Sequence, residues 1–125
     1  MPNLVKTLPS GAKLEVTMAG FEDCEHLDEA VKAELRGVDI NEESLVGLFM
    51  RLSSSKAVKT ALWPCMSRAT YNGQKITRDT FEPEAARADF FPIAQEVMVF
   101  NLRPFFQGLG SQFSAIFQRS TSSPK

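Results

Sequence analysis

Near the start of the chain, hydrophobic and polar positions alternate. Leu14, Val16 and Met18 are separated by Glu15 and Thr17 and preceded by Lys13. That is the period of a half-buried strand. Pro9-Ser10-Gly11 supplies turn chemistry between Leu4–Leu8 and Lys13–Met18, so the two segments form a predicted β-hairpin. The period then changes. Cys24, Leu27, Val31, Leu35 and Val38 recur at helical spacing, which predicts a helix from about Cys24 to Arg36. Asp23 is placed to cap it and Gly37 to end it. Asp28 and Lys32 stand one turn apart on the side read as polar.

Asn41 is the expected cap of a second helix, with Ile40 and Leu45 as a hydrophobic staple. Leu45, Leu48, Phe49 and Leu52 are its core face. Ser53-Ser54-Ser55 interrupts the pattern, and Ser55 can cap a third helix carrying Val58, Ala61, Leu62, Cys65 and Met66. Pro64 inside it predicts a kink or an early stop. Asn72-Gly73 suits both positive-φ positions of a type I′ turn, and Thr70-Tyr71 and Lys75-Ile76-Thr77 flank it as a short second hairpin. Pro83 and Glu84 suit the first turn of a short helix.

Phenylalanine crowds the last third. Of the 10 in the chain, 8 lie at or after Phe81. Met98, Leu102, Phe105, Leu109, Phe113 and Ile116 follow one helical line, and Phe90, Ile93, Val97 and Phe100 another. A helix apolar on more than one side is either central to its own core or covered by something else. Phe90, Phe91 and Phe100 are expected in the core, as is Trp63. Pro104 predicts a kink, and Gly108 and Gly110 weaken the helix by roughly 1 kcal/mol each relative to alanine. A core helix to about Arg103 is therefore expected, with a looser amphipathic element from Pro104 to Phe117. Its Phe105, Phe106, Leu109, Phe113, Ile116 and Phe117 are the expected partner-binding face, with burial in the core as the alternative. The fold class is α+β and mostly α. Residues 1–118 form one globular domain, followed by a polar tail at 119–125.

Composition narrows the function. Hydrophobic residues make up 43% and charged residues 23%, which fits a folded domain rather than a disordered chain. With 14 basic and 15 acidic residues and no basic block, nucleic acid is not an expected partner. No apolar run approaches the length of a membrane span, so no membrane partner is expected. The opening residues lack the apolar core of a signal peptide. Cys24 and Cys65 form no paired motif and are expected as reduced thiols in a cytosolic protein.

No catalytic constellation stands out. Cys24 and His26 are two residues apart, so on a helix they do not face each other. One histidine, two cysteines distant in sequence and scattered carboxylates offer no zinc spacing. Glu22, Asp23, Glu25, Glu42, Glu43, Glu82 and Glu84 cluster at predicted helix starts, where the helix dipole favours them. Gly108-Leu109-Gly110 has neither the strand nor the lysine of a phosphate loop. The expectation is a protein that is not an enzyme and has no cofactor and no metal.

Several stretches, in order, resemble a known family. They are Leu8-Pro9-Ser10-Gly11-Ala12-Lys13-Leu14-Glu15-Val16-Thr17, Ala61-Leu62-Trp63, Tyr71-Asn72-Gly73-Gln74-Lys75-Ile76-Thr77, Phe81-Glu82-Pro83-Glu84-Ala85-Ala86-Arg87-Ala88-Asp89-Phe90-Phe91, and Asn101-Leu102-Arg103-Pro104-Phe105-Phe106. Together they resemble the tail assembly chaperones of long-tailed, siphovirus-like bacteriophages and prophages, from Leu4 to about Phe117. Pro92 departs from that pattern and sets against continuity of the helix there.

The resemblance implies a non-enzymatic role in virion morphogenesis. Such chaperones bind the tape measure protein, keep it soluble and help recruit tail tube subunits. They act in the bacterial cytoplasm and are absent from the mature virion. Many occur beside a longer form of themselves made by ribosomal frameshift. A homo-oligomer is left open, as are two other readings: a tail completion or connector subunit of the virion, and a small regulatory protein that binds a host factor. The codons for Pro124-Lys125, preceded by a Ser123 codon ending in C, are compatible with a slippery heptamer. The expectation is that this chain is the short form. The gene should then show such a heptamer and an overlapping downstream frame; the lack of both would contradict it.

Overall fold

The structure is a computed structural model that describes residues 3–38 and 44–106. Both predicted hairpins form. β1 (Asn3–Thr7) pairs with β2 (Lys13–Thr17), and β3 (Ala69–Tyr71) pairs with β4 (Gln74–Lys75). They merge into one antiparallel sheet of order β1-β2-β3-β4, because β2 also pairs with β3 and sets Val16 opposite Ala69. The Asn72-Gly73 turn has the positive φ values its residues favour, 52° and 86°. Leu14, Val16 and Ala69 bury the inner face of the sheet, while Val5, Lys13 and Glu15 face outward.

Helix α1 (Phe21–Glu34) begins three residues earlier than predicted. Gly20, not Asp23, is its N-cap, and Asp23 lies in the first turn with Glu22. Cys24, Leu27 and Val31 are buried as expected, with Leu35 and Val38 at the margin, and Gly37 takes the positive φ that follows many helix ends. Asp28 is not on a polar face. It is only 6% exposed, and its Oδ2 pairs with Lys32 at 3.0 Å. The amphipathic pattern misplaced it because a carboxylate can be buried beside a long lysine stem that carries the counter-charge to the surface.

Helix α2 (Leu45–Ser54) is capped by Ser44, whose Oγ accepts from the Gly47 N–H at 2.9 Å. Asn41 and Ile40 lie outside the described residues. Leu48, Phe49 and Leu52 are buried as predicted. Helix α3 (Lys56–Met66) is capped by Ser55, as expected, through a 3.2 Å bond from the Val58 N–H. It continues only two residues beyond Pro64.

The largest departure is the last helix. A short 3₁₀ turn, Arg78–Phe81, is followed by a single α4 (Glu84–Phe106) of 23 residues, about 35 Å long. The expected short helix and the Phe-rich helix are one element. It starts where the Pro83 carbonyl accepts the Arg87 N–H, and it runs through both Pro92 and Pro104. Tertiary burial explains the continuity. From Ile93 to Leu102 almost every side chain is buried, including Val97, Met98 and Val99. A missing hydrogen bond is tolerated when a helix is clasped on all sides. Helix α4 packs against α1, α2, α3, the 3₁₀ turn and β2, so it is central to its own core. Phe100 is buried as expected, whereas Phe90 and Phe91 sit at the rim of the core, half-buried.

Asp89, buried near the start of α4, ties this helix to both hairpins. Its Oδ2 accepts from Ser10 Oγ at 2.8 Å and from the Tyr71 hydroxyl at 2.6 Å. The bond to Asp89, and after it burial and the carboxylate charge, push the Tyr71 phenol above its ordinary value of 10.0. A raised phenol favours the protonated ring in the folded state. Its stabilisation is complete below about pH 10 and is lost as pH rises through the folded value. Tyr71→Phe should therefore lower stability by roughly 1 kcal/mol at neutral pH. The gap to the wild type should close at alkaline pH, as read from urea denaturation at pH 7 and above pH 10. A gap independent of pH would contradict the Tyr71–Asp89 bond.

Candidate functional site

At the C-terminal end of α4 the surface turns apolar. Phe105 is half-buried, and its ring stacks on Phe21 at 5.8 Å between centroids and 28° between planes. Phe21, the first residue of α1, is 71% exposed. Beside the two rings lies an open groove of about 360 Å³ lined by Met18, Ala19, Phe21, Cys24, Asn101, Pro104 and Phe105. Of the predicted partner-binding residues, the structure places Phe105 on this groove. Phe106 ends the helix, but its side chain lies outside the described residues, as do Leu109, Phe113, Ile116 and Phe117.

Phe21 was not singled out in the sequence. The signal was present: Phe21 precedes Cys24 by three positions and follows Gly20, so it extends the apolar line of α1 by one turn. Placing the helix start at Cys24 hid it.

The groove has a rigid floor. Asn101 is fully buried, and all its polar atoms are used. Its Oδ1 accepts from the Ala19 N–H at 2.8 Å and from the Cys24 thiol at 3.3 Å; its Nδ2 donates to the Val97 carbonyl at 2.8 Å. One amide side chain thus joins the β2–α1 connection to α4 and sets Phe21 beside Phe105. A buried, satisfied amide of this kind specifies one geometry, because any shift strands a donor or acceptor.

The cysteines, distant in sequence, both enter the core where α1 packs on α3, and each perturbs the other's thiol. Burial, followed by the nearby Asp23 charge, pushes the Cys24 thiol up. Burial and then Cys24 push the Cys65 thiol up to about 12. Both remain protonated at neutral pH and are poor nucleophiles. His26 is exposed, away from the buried Cys24 sulfur, so the pair makes no nucleophile and base. Among the described residues, no group of three or more His, Cys, Asp or Glu side chains could hold a metal ion. No helix among them is long and apolar enough to cross a membrane.

A second aromatic cluster accounts for the upstream phenylalanines. Trp63, Phe81 and Phe90 meet at 5.1 to 6.4 Å between centroids, and the Arg78 guanidinium lies 4.7 Å from the Trp63 ring centre. These contacts clamp the 3₁₀ turn between α3 and α4. Trp63 serves as packing at the core margin, as expected.

The family described as phage tail assembly chaperone protein, TAC, matches residues 4–114. The chain belongs to this family. The match covers both hairpins, the four described α-helices and the groove of this tail assembly chaperone, and it extends past the described end of α4 to include Leu109 and Phe113. No curated protein and no solved structure matches the chain. Membership of a chaperone family assigns a role in phage tail assembly, exercised through protein partners in the host cell.

Asn101→Leu, close to isosteric, should cost about 1–3 kcal/mol by leaving the Ala19 N–H without its partner. Chemical denaturation measures this. Because Asn101 also orients Phe21, the Phe21–Phe105 stack should loosen, seen as narrowed chemical-shift dispersion of those two rings by NMR. An unchanged ring environment would show that the stack is held by other contacts.

Proposed function

We propose that this tail assembly chaperone binds amphipathic helices of the tape measure protein on the apolar surface formed by Phe21, Phe105, Phe106, Leu109, Phe113, Ile116 and Phe117. By covering those helices it keeps the tape measure protein soluble until tail tube subunits, which it helps recruit, enclose it. The single observation that carries this reading is Phe21, a large aromatic 71% exposed on an apolar groove at the end of the Phe-rich helix. A solvent-exposed ring held beside a second half-buried ring is the kind of anchor that an apolar helix face recognises. The proposed action is in the bacterial cytoplasm, with release before the virion matures, and it needs no catalysis, cofactor or metal.

The chemistry is that of helix-in-groove binding. A tape measure protein presents long apolar stripes that aggregate while the tube is unbuilt. The groove supplies apolar area around one buried polar anchor. The stripe at Leu109, Phe113 and Ile116, spaced by four and three residues, would extend it along one helical face. A longer, frameshifted form of the chain would use the same surface and add its own extension.

Co-expression with the tape measure protein tests the reading. The wild type should raise the soluble fraction of that protein and co-elute with it in gel filtration. Phe21→Ser should lower the soluble fraction several-fold while leaving the chaperone's own thermal midpoint nearly unchanged, because an exposed ring contributes little to the core. Full solubilisation by Phe21→Ser, or an insoluble tape measure protein with the wild type, would overturn the proposal.

A further inference from the structure

The four-stranded sheet has two edges of different character. β4 is two residues long and ends in Lys75, so its edge offers little to pair with. β1 is five residues long and, among the described residues, has a neighbouring strand on one side only. Natural edge strands are commonly blunted by a charged side chain, inward-pointing ones included, by a proline or by a bulge. The described residues of β1 hold no proline and no bulge. Its one charged side chain, Lys6, points inward, where Glu96 at 3.1 Å neutralises it within the same chain. Its central outward side chain is Val5, 56% exposed.

The hydrogen-bond phase of β1 follows from its register. Leu8 donates to the Ala12 carbonyl, and the paired positions sum to 20. Leu4, Lys6 and Leu8 therefore turn their N–H and C=O groups toward β2. Asn3, Val5 and Thr7 turn theirs toward the open edge. We infer that β1 pairs antiparallel with β1 of a second copy of this chain, Val5 against Val5 across a two-fold axis, to join the two sheets into one of eight strands.

Three observations favour a second copy as the occupant. The register centred on Val5 sets Asn3 opposite Thr7 twice, so every outward-facing group of the strand is used. No charged side chain lies on the outward row at the axis, and two β-branched valines form a favourable cross-strand pair there. On the inner row, this register would set the copy's Leu4 opposite Lys6, which lines an open groove of about 430 Å³ with the half-buried Phe91 and Pro92. The two Lys6 side chains fall on a cross-strand diagonal, each carrying its own Glu96 counter-charge, so the arrangement is electrically balanced. The two-fold operation consumes the only long edge of each sheet, so the assembly closes at two. Pairing of two five-residue strands is small beside the roughly 1,000 Å² of a stable interface, which makes this a weak, concentration-dependent dimer. None of its residues lines the Phe21–Phe105 groove.

Sedimentation equilibrium of the full chain over about 10 μM to 1 mM tests the inference. These concentrations bracket a weak dimer. The wild-type mass should rise with concentration toward twice 13.9 kDa. Val5→Lys, which sets two like charges at the axis, should stay monomeric with an unchanged thermal midpoint. Val5→Pro should do the same, because it deletes an N–H that faces the open edge and spares the ladder to β2. A wild type that remains monomeric throughout would overturn the inference. So would a dimer that persists with unchanged strength in folded Val5→Lys, whatever the behaviour of Val5→Pro.

Discussion

Burial of α4 on nearly all sides from Ile93 to Leu102 is the constraint on which the rest of the structure depends. A helix in that position has no water to satisfy its polar side chains, so each one it carries must find a protein partner. Three do so along its length, and each partner lies in the β-layer or its connection. Asp89 takes the hydroxyls of Ser10 and Tyr71, Glu96 takes the Lys6 ammonium, and Asn101 takes the Ala19 N–H. Read from one end of α4 to the other, these tethers fix the hairpins on the helix. The apolar side chains between them supply most of the stabilisation, and the tethers decide which packing is allowed.

The same constraint produces the candidate site. The Asn101 tether pulls the β2–α1 connection against the end of α4, and α1 must then begin beside Phe105. That leaves Phe21 with one face on a neighbouring ring and the other in solvent. An exposed aromatic ring costs little when a partner will cover it, and a rigid floor spares that partner the entropy of ordering the site. Membership of the tail assembly chaperone family assigns a role through protein partners, and this apolar corner of the fold is where we propose that one docks.

Much of this was legible in the sequence wherever local chemistry decides. Asn72-Gly73 marked its hairpin because few other residue pairs accept two positive φ values. Ser55 marked the start of α3 because a serine before an apolar run can satisfy an orphan N–H. The alternation around Leu14 and Val16 gave the buried face of β2. What was hidden depends on contacts between distant segments. Pro92 and Pro104 read as interruptions of the last helix, yet α4 runs through both, with the buried stretch from Ile93 to Leu102 between them. Asp28 read as a surface residue because its helix pattern says nothing of what α1 packs against. Asn101 entered only as part of a resembling stretch, since an asparagine in an apolar helix looks the same whether it is a floor or a flaw. The two cysteines are 41 positions apart and meet only when α1 and α3 pack together. Of the two rings at the groove, the stripe included Phe105 and not Phe21, because the second ring comes from the other end of the chain.

The most direct measurement of the central claim is amide hydrogen exchange of the chaperone, alone and with the tape measure protein bound. The account predicts new protection from Met18 to Cys24 and from Asn101 onward, with the β1 to β4 ladder unchanged. Protection confined to other surfaces, with residues 18–24 exchanging as in the free protein, would contradict it.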